Sequence, residues 1–272
     1  MISPQTLPAA WEPLTPRGVA AFARATSGRL FVVQLLVALV VAAAVVWFLH
    51  DGWCRTVRDA IEGLPDQGEI RFGKLDWRGE SPRLLAEGTF LAFSVDLEHA
   101  GDLRSPAHVQ LEFGRETVLL QSLLGYTEAR YPAKWAVAFN RKELKPWWGA
   151  WQPALLAGVA TAVMVGLMSL WFALATVYAV PVWLIAFFAN RDLKLPESCR
   201  LAGAALMPGA LLMAAGIMLY DLGVVDLVGL GFVTGGHLAL GWIYLFVSTL
   251  FLPGNLTAVS ARRNPFAAFG KR

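Results

Sequence analysis

The side chain best placed for unusual chemistry is His237, the one ionisable group well inside an apolar run, in VGLGFVTGGHLALGWIYLFVSTL. An imidazole in hydrocarbon is costly unless paired, and its ordinary pKa near neutrality suits proton or ion handling. Thr234, Ser248 and Thr249 are its possible local partners, and no second histidine or carboxylate shares the run. Two readings stay open: a structural hydrogen bond between helices, or a proton- or ion-handling site. A transporter would add more polar residues at mid-depth or two matched interrupted helices, and neither is evident.

Other reactive side chains are scattered. Asp221 and Asp226 stand five apart in a short loop, where they read as solvated topology residues or as an acidic pair beside a membrane. His50 and Asp51 adjoin at the end of an apolar run. His99 and His108, nine apart, match no strong metal-ligand spacing. Asp66, Glu69, Asp76, Glu80 and Glu87 are numerous but surround no nucleophile, and no nucleophile elbow, phosphate loop or zinc-peptidase motif occurs. Cys54 and Cys199 are too few for a disulfide framework and read as lone thiols. No catalytic, cofactor-binding or metal-ligating residue is expected, and no cofactor.

The element that organises the chain is Pro153 to Ala189, thirty-seven residues without Asp, Glu, Lys, Arg or His. As a straight helix it would reach roughly 55 Å, well beyond a hydrocarbon slab of roughly 30 Å. Pro181 is its only break, so the expected form is one span (within 150–181) followed by a bent continuation, Val182 to Ala189, along the membrane surface. A composition that is 56% hydrophobic and 16% charged, with mean hydropathy +0.52, sets the chain among membrane proteins. The net charge of +3 comes from basic residues beside apolar spans, a pattern of membrane orientation that argues against nucleic acid.

Residues 1–29, with Pro4, Pro8, Pro13 and Pro16 followed by Arg17, Arg24 and Arg29, read as a basic, poorly ordered leader. Residues 30–49 suit one crossing. Residues 201–220 make a third, with an expected kink at Pro208-Gly209, and 228–252 a fourth after the outer loop 221–227. Gly158, Ala162 and Gly166 on the second span, and Gly231 and Gly235 on the fourth, recur at a spacing that lets helix backbones approach closely. They imply packing among the protein's own spans, or contact with a partner or second copy.

Residues 50–149 change character, with thirteen Lys/Arg, fifteen Asp/Glu and two-residue alternation. A short helix, Arg55 to Glu62, precedes GEIRFGKLDW, whose phase shifts at Gly73 as at a bulge or tight turn. Leu91, Phe93, Val95 and Leu97 mark a half-buried strand, and Val109, Leu111 and Phe113 another that turns through Gly114-Arg115-Glu116 into Thr117 to Gln121. Trp135, Val137 and Phe139 form the last strand, and Asn140 with Glu143 resembles a helix cap. Trp53, Trp147, Trp148 and Trp151 suit one interfacial belt.

Basic residues in the short segments number three at the start, three in the loop within 182–200, four in the tail 253–272, and none between spans three and four. Both termini are therefore expected in the cytoplasm and residues 50–149 outside. The fold class expected is membrane α-helical, with four transmembrane helices and an inserted extracytoplasmic α+β domain that is mainly antiparallel β.

This layout, together with LPDQGEIRFGKLDW at 64–77, FLAFSVD at 90–96, HVQLEFGRETVLL at 108–120 and ESCRLAGAALMPGALL at 197–212, resembles a bacterial integral-membrane family of unknown function. That family includes putative maltodextrin-utilisation membrane proteins, and its C-terminal spans are similar to those of Yip1-like proteins. The resemblance implies an inner-membrane location and brings no activity or catalytic residues. The function expected is a non-enzymatic inner-membrane protein whose outer domain senses or binds a partner, with the bilayer and an envelope or transport protein, or a second copy, as partners. The alternatives are a small transporter or channel centred on His237, and an envelope enzyme using outer-domain carboxylates.

Overall fold

The computed structural model describes residues 10–254. The tail bases Arg262, Arg263, Lys271 and Arg272, and Pro4 and Pro8 of the leader, lie outside the described residues. In chain order the helices α1 (Pro16–Phe22) and α2 (Ser27–Phe48) lead through a π-helical stretch, Leu49–Cys54, into α3 (Arg55–Gly63). Eight strands follow: β1 (Gly68–Arg71), β2 (Lys74–Trp77), β3 (Arg83–Glu87), β4 (Leu91–Val95), β5 (Val109–Phe113), β6 (Thr117–Ser122), β7 (Gly125–Arg130) and β8 (Ala136–Ala138). The chain ends in α4 (Arg141–Phe188), α5 (Leu195–Ala205), α6 (Met207–Asp221) and α7 (Leu227–Leu250). Two compact units result, one of residues 46–159 and one of the described residues before 46 and after 159.

Four helices among the described residues are long and apolar enough to cross a membrane: Ser27–Gly63, Arg141–Phe188, Leu195–Asp221 and Leu227–Leu250. The third carries a break at Leu206, where α5 stops and α6 starts with Pro208 in its first turn. Proline has no N–H to give to the carbonyl four residues back, so the expected kink is realised as a break just before it. By contrast α4 runs without interruption through Pro181, and residues 182–188 continue it as helix. At 1.5 Å per residue its length is roughly 72 Å.

Only Trp171, Ala175, Ala179, Val182 and Ala186 of α4 are buried, at a spacing of three to four residues, so a single narrow stripe faces the other helices. From Pro153 onward the rest of its surface is also mainly apolar, with Phe172 75% exposed and Phe188 82%. Helix starts follow local chemistry. Asn140 Oδ1 accepts the Glu143 N–H (3.0 Å), Asp226 Oδ1 accepts the Gly229 N–H (2.7 Å), and the Glu197 carboxylate accepts the Lys194 N–H (2.9 Å).

The leader is corrected from Ala10 onward. Its residues Gly18 to Ala23 are all buried, and α1 packs on α5 and α7. Thr15 caps this helix and Pro16 opens it, while GVAAFA offers an apolar surface with no polar side chain to solvate. Arg200 donates from Nε (3.1 Å) and Nη2 (2.8 Å) to the carbonyl of Ala23, the residue that caps the C-terminal end of the helix.

The other unit holds two sheets. The first is antiparallel, in the order β2-β1-β8, and its β1–β2 hairpin turns at Phe72 and Gly73, both at positive φ (53° and 75°). That turn is the phase shift expected at Gly73, since a two-residue loop of this kind needs left-handed backbone at both positions. The second has the order β3-β4-β5-β6-β7, antiparallel except for the parallel pair β4–β5. Leu64, Ile70, Leu75, Val95, Tyr131 and Phe139 form the core, with the Phe113 and Phe139 rings 4.8 Å apart.

β4 is not half-buried as its alternation suggests: Ala92 and Ser94 are buried along with Leu91 and Val95. A parallel partner requires the connection 96–108 to cross back over one sheet face. Gln110 marks that face, donating to Ser94 Oγ (3.0 Å) and to the Leu103 carbonyl (2.9 Å), and accepting the Ser105 N–H (2.9 Å). The expected hairpin from β5 to β6 forms, but Gln110 and Glu112 are more deeply buried than Val109, Leu111 and Phe113.

Candidate functional site

His237 lies on α7 beside α6, at a place where the two backbones nearly touch. A β-carbon built on Gly209 would stand 2.6 Å from the His237 carbonyl oxygen, and one on Gly216 would stand 2.5 Å from Val233 Cγ1. The imidazole borders a cavity of about 180 Å³ walled by Trp171, Tyr178, Met213, Leu238 and Trp242. Its Nδ1 is buried with no hydrogen-bond partner among the described residues. Thr234 donates to the Leu230 carbonyl (2.9 Å) and Thr249 to the Leu245 carbonyl (2.7 Å), and among the described residues neither hydroxyl bonds His237. Ser248 Oγ is likewise buried without a partner among the described residues. The interhelical hydrogen bond expected of His237 is absent among the described residues, and a residue with an unpaired buried nitrogen lines a small, mainly apolar space.

The small-residue stripes are also placed differently from the expected packing among the protein's own spans. Gly158, Gly166, Gly231 and Gly235 have nothing within 4 Å of a built β-carbon, and Ala162 is exposed. Close approach within the unit instead uses Gly203, Gly209 and Gly216. Glycine spacing announces that a helix can approach something, and the rotation of the helix decides which face does.

In the sheet unit a polar cluster joins the crossover to the strands. His99, at φ 51°, lies with Nδ1 2.6 Å from Glu112 Oε1 and Nε2 2.9 Å from Thr117 Oγ1. Glu112 is 1% exposed, and its Oε2 has no partner among the described residues. The order carboxylate, imidazole, hydroxyl is that of an acyl-transfer triad. Thr117, however, is buried in β6, and the backbone of Gly114 covers the ring so closely that a β-carbon there would stand 2.0 Å from Nε2. A nucleophile must meet its substrate, and this hydroxyl is sealed against the imidazole. The cluster clips residue 99 of the crossover to β5 and β6.

Sequence reasoning missed this cluster because its members are 13 and 18 residues apart and meet only through the parallel pairing. The available signal was Glu112 lodged among the apolar residues of HVQLEF. His108 is elsewhere, its ring 5.6 Å from that of Phe90, and among the described residues no group of three or more His, Cys, Asp or Glu could hold a metal.

Several carboxylates of the sheet unit are matched by cations, while Glu87 Oε1 accepts the Ser105 hydroxyl (2.6 Å). Asp66 meets Arg141 (2.8 Å) and Lys142 (3.7 Å), Asp76 meets Arg78 (3.2 Å), Glu69 meets Arg71 (3.9 Å) and Asp51 meets Arg55. Asp66, Glu69, Asp76 and Glu143 share a groove of about 500 Å³ with Arg78 and Lys142. The Arg141 hydrogen bond holds the Asp66 carboxyl below its ordinary range, with Lys142 adding to it, the reverse of what a general acid needs. Asp226 caps α7, which accounts for one member of the Asp221/Asp226 pair. Both cysteines are free thiols.

The sheet unit carries one surface that periodicity did not announce. All six residues of β7 are exposed and it closes the five-stranded sheet on one side. The two-residue turn before it presents Leu123 and Leu124, the latter 100% exposed, with Tyr126 77% exposed alongside. Comparisons with family models, with curated proteins and with solved structures return no match.

Proposed function

We propose that this chain is a non-enzymatic bacterial inner-membrane protein that spans the bilayer four times with both ends in the cytoplasm, and that residues 50–149 face outward and bind a partner. The membrane part of this reading is supported by the apolar, outward-facing surface of α4, which in water would be an aggregation hazard and in lipid is solvated. The partner-binding part is carried by β7. A terminal strand offers a row of unpaired backbone groups, and proteins usually blunt such edges with charge, proline or a covering element. β7 carries Glu128 and Arg130 toward its end, while at its start Leu123, Leu124 and Tyr126 stand exposed beside the edge, an arrangement suited to β-strand addition with apolar anchoring.

A photo-crosslinking residue at position 124 in intact cells tests this. One discrete protein adduct is expected from position 124, lost when Tyr126→Lys is added, and none from a probe at the exposed Glu80. Absence of an adduct at 124, or equal adducts at both positions, overturns the reading.

A second reading, a small transporter or channel, is favoured by one observation, the unpaired His237 Nδ1 beside its cavity. Proton- or solute-coupled flux in vesicles that is lost on His237→Phe would support it. Unchanged flux would remove the version that depends on this residue.

A further inference from the structure

Within the helical unit a cavity of about 740 Å³ lies between α2, α4 and α5, several times the space beside His237. One end is polar, formed by Ser27 and Gly28 of α2 and by Cys199 and Arg200 of α5. Its remaining walls are apolar, among them Phe31 and Phe172, apart from Ser169 and from Gln34, whose amide donates to the Gly203 carbonyl (3.2 Å). No Asp or Glu lines it, so Arg200 is the single formal charge on the wall. The guanidinium is held in place by two hydrogen bonds from Nε and Nη2 to the Ala23 carbonyl, while Nη1 has no hydrogen bond among the described residues. A fixed cation with a free donor at the mouth of an apolar slot matches an anionic head on a hydrocarbon tail.

We infer that this groove binds an anionic phospholipid of the surrounding membrane, its phosphate on Arg200 and an acyl chain along Phe31 and Phe172. The inference rests on the membrane reading above. In that reading Ser27 and Arg200 both stand at the cytoplasmic ends of their spans, which places the head at the inner leaflet. Charge complementarity selects the occupant. A zwitterionic lipid also brings a phosphate but returns a positive charge beside Arg200 that no acid on the wall answers, whereas an anionic lipid does not. A second protein helix would have to supply an acid where this wall has none.

Cys199 in the wall is a built-in reporter. In full-length Cys54→Ser protein, alkylation of Cys199 by a small maleimide is measured in nanodiscs of phosphatidylcholine alone or with phosphatidylglycerol. At least a threefold slowing by phosphatidylglycerol is expected, and Arg200→Gln should abolish that difference. Because Arg200 also closes α1, a second variant keeps the test independent of folding. A β-carbon on Gly28 meets nothing within 4 Å, so Gly28→Leu fills the groove without displacing protein and should remove the lipid dependence too.

Equal rates in the two lipids, or a difference that survives both substitutions, overturn the inference. Protection by inorganic phosphate in phosphatidylcholine discs assigns the site to the free anion and overturns the lipid. Retention of the parent chain in membranes after carbonate washing separates the two readings: a retained chain without lipid protection sinks only this one, and an extracted chain sinks both.

Discussion

The carbonyl oxygen of His237 stands 2.6 Å from the point a β-carbon on Gly209 would occupy, so α6 and α7 meet backbone to backbone beside the imidazole. Gly216, seven residues on, repeats the contact against Val233. Gly209→Val should therefore force the helices apart, at a cost of about 1–3 kcal/mol. Gly231→Ala adds a methyl where nothing lies within 4 Å, and should leave stability unchanged or raise it slightly through helix propensity. Thermal unfolding of the two variants in the same detergent checks the contrast. Equal losses would mean that the two helices pack by another face.

His237→Phe should stabilise the helical unit. It replaces a buried, unpaired nitrogen with apolar surface next to a cavity walled by Trp171, Leu238 and Trp242, and relief of one unsatisfied polar group is worth about 1–3 kcal/mol. A higher melting temperature is expected. A lower one would show that the imidazole makes a bond worth more than its burial costs.

In the sheet unit, His99→Ala should be costly in a way that His108→Ala is not. It strips the only hydrogen bond to the Glu112 carboxylate among the described residues and leaves that group 1% exposed, a loss of about 3 kcal/mol. Limited proteolysis should then cut the crossover 96–108 first. The double change His99→Leu with Glu112→Leu should recover part of the loss, because the stranded charge is gone. A single change no worse than His108→Ala would remove the clip.

Acid should loosen the start of α4 before the rest of the sheet unit. Hydrogen bonds from Lys145 and Arg141 hold the Glu62 and Asp66 carboxyls below their ordinary values of 4.5 and 3.8. A group whose folded pKa is depressed contributes stability that is full above its unfolded pKa and is lost as pH falls through the folded one. The contribution is therefore intact at pH 6 and fades below about pH 4. Both groups are solvent-exposed, so the effect is modest and should shrink with added salt. Hydrogen exchange of the α4 amides near 141–145, followed from pH 6 to pH 3, should rise in this window and show little change in Glu62→Gln/Asp66→Asn protein.

The orientation has its own test. Protease acting on intact spheroplasts should cut the exposed Leu123–Leu124 turn, and a cytoplasm-specific reporter joined after residue 272 should be active. Reporter activity only on the far side would reverse the topology and with it the partner role of β7.

Composition and periodicity alone set out four apolar helices, a strand-rich segment within residues 50–149, the cap at Asn140 and the hairpin from Val109 to Gln121. Each of these depends on neighbours a few residues apart, so its physics is local. Tertiary structure alone decided the rest. The apolar leader segment 18–23 is a core helix because α5 and α7 cover it, and Pro181 stays inside an unbroken α4. Glu112 is buried and Val109 less so because the parallel β4–β5 pair sends a connection across that face, where Gln110 and His99 tie it down. β3 and β7 escaped notice for related reasons. A register shift between Leu84 and Ala86 erases the alternation of one, and the other has no buried face to give it a period. Gly209 and Gly158 are the same residue type on apolar helices, and one touches a neighbour while the other faces open space. Spacing along a helix defines its faces, but which face turns inward depends on what the remote parts of the chain bring to meet it.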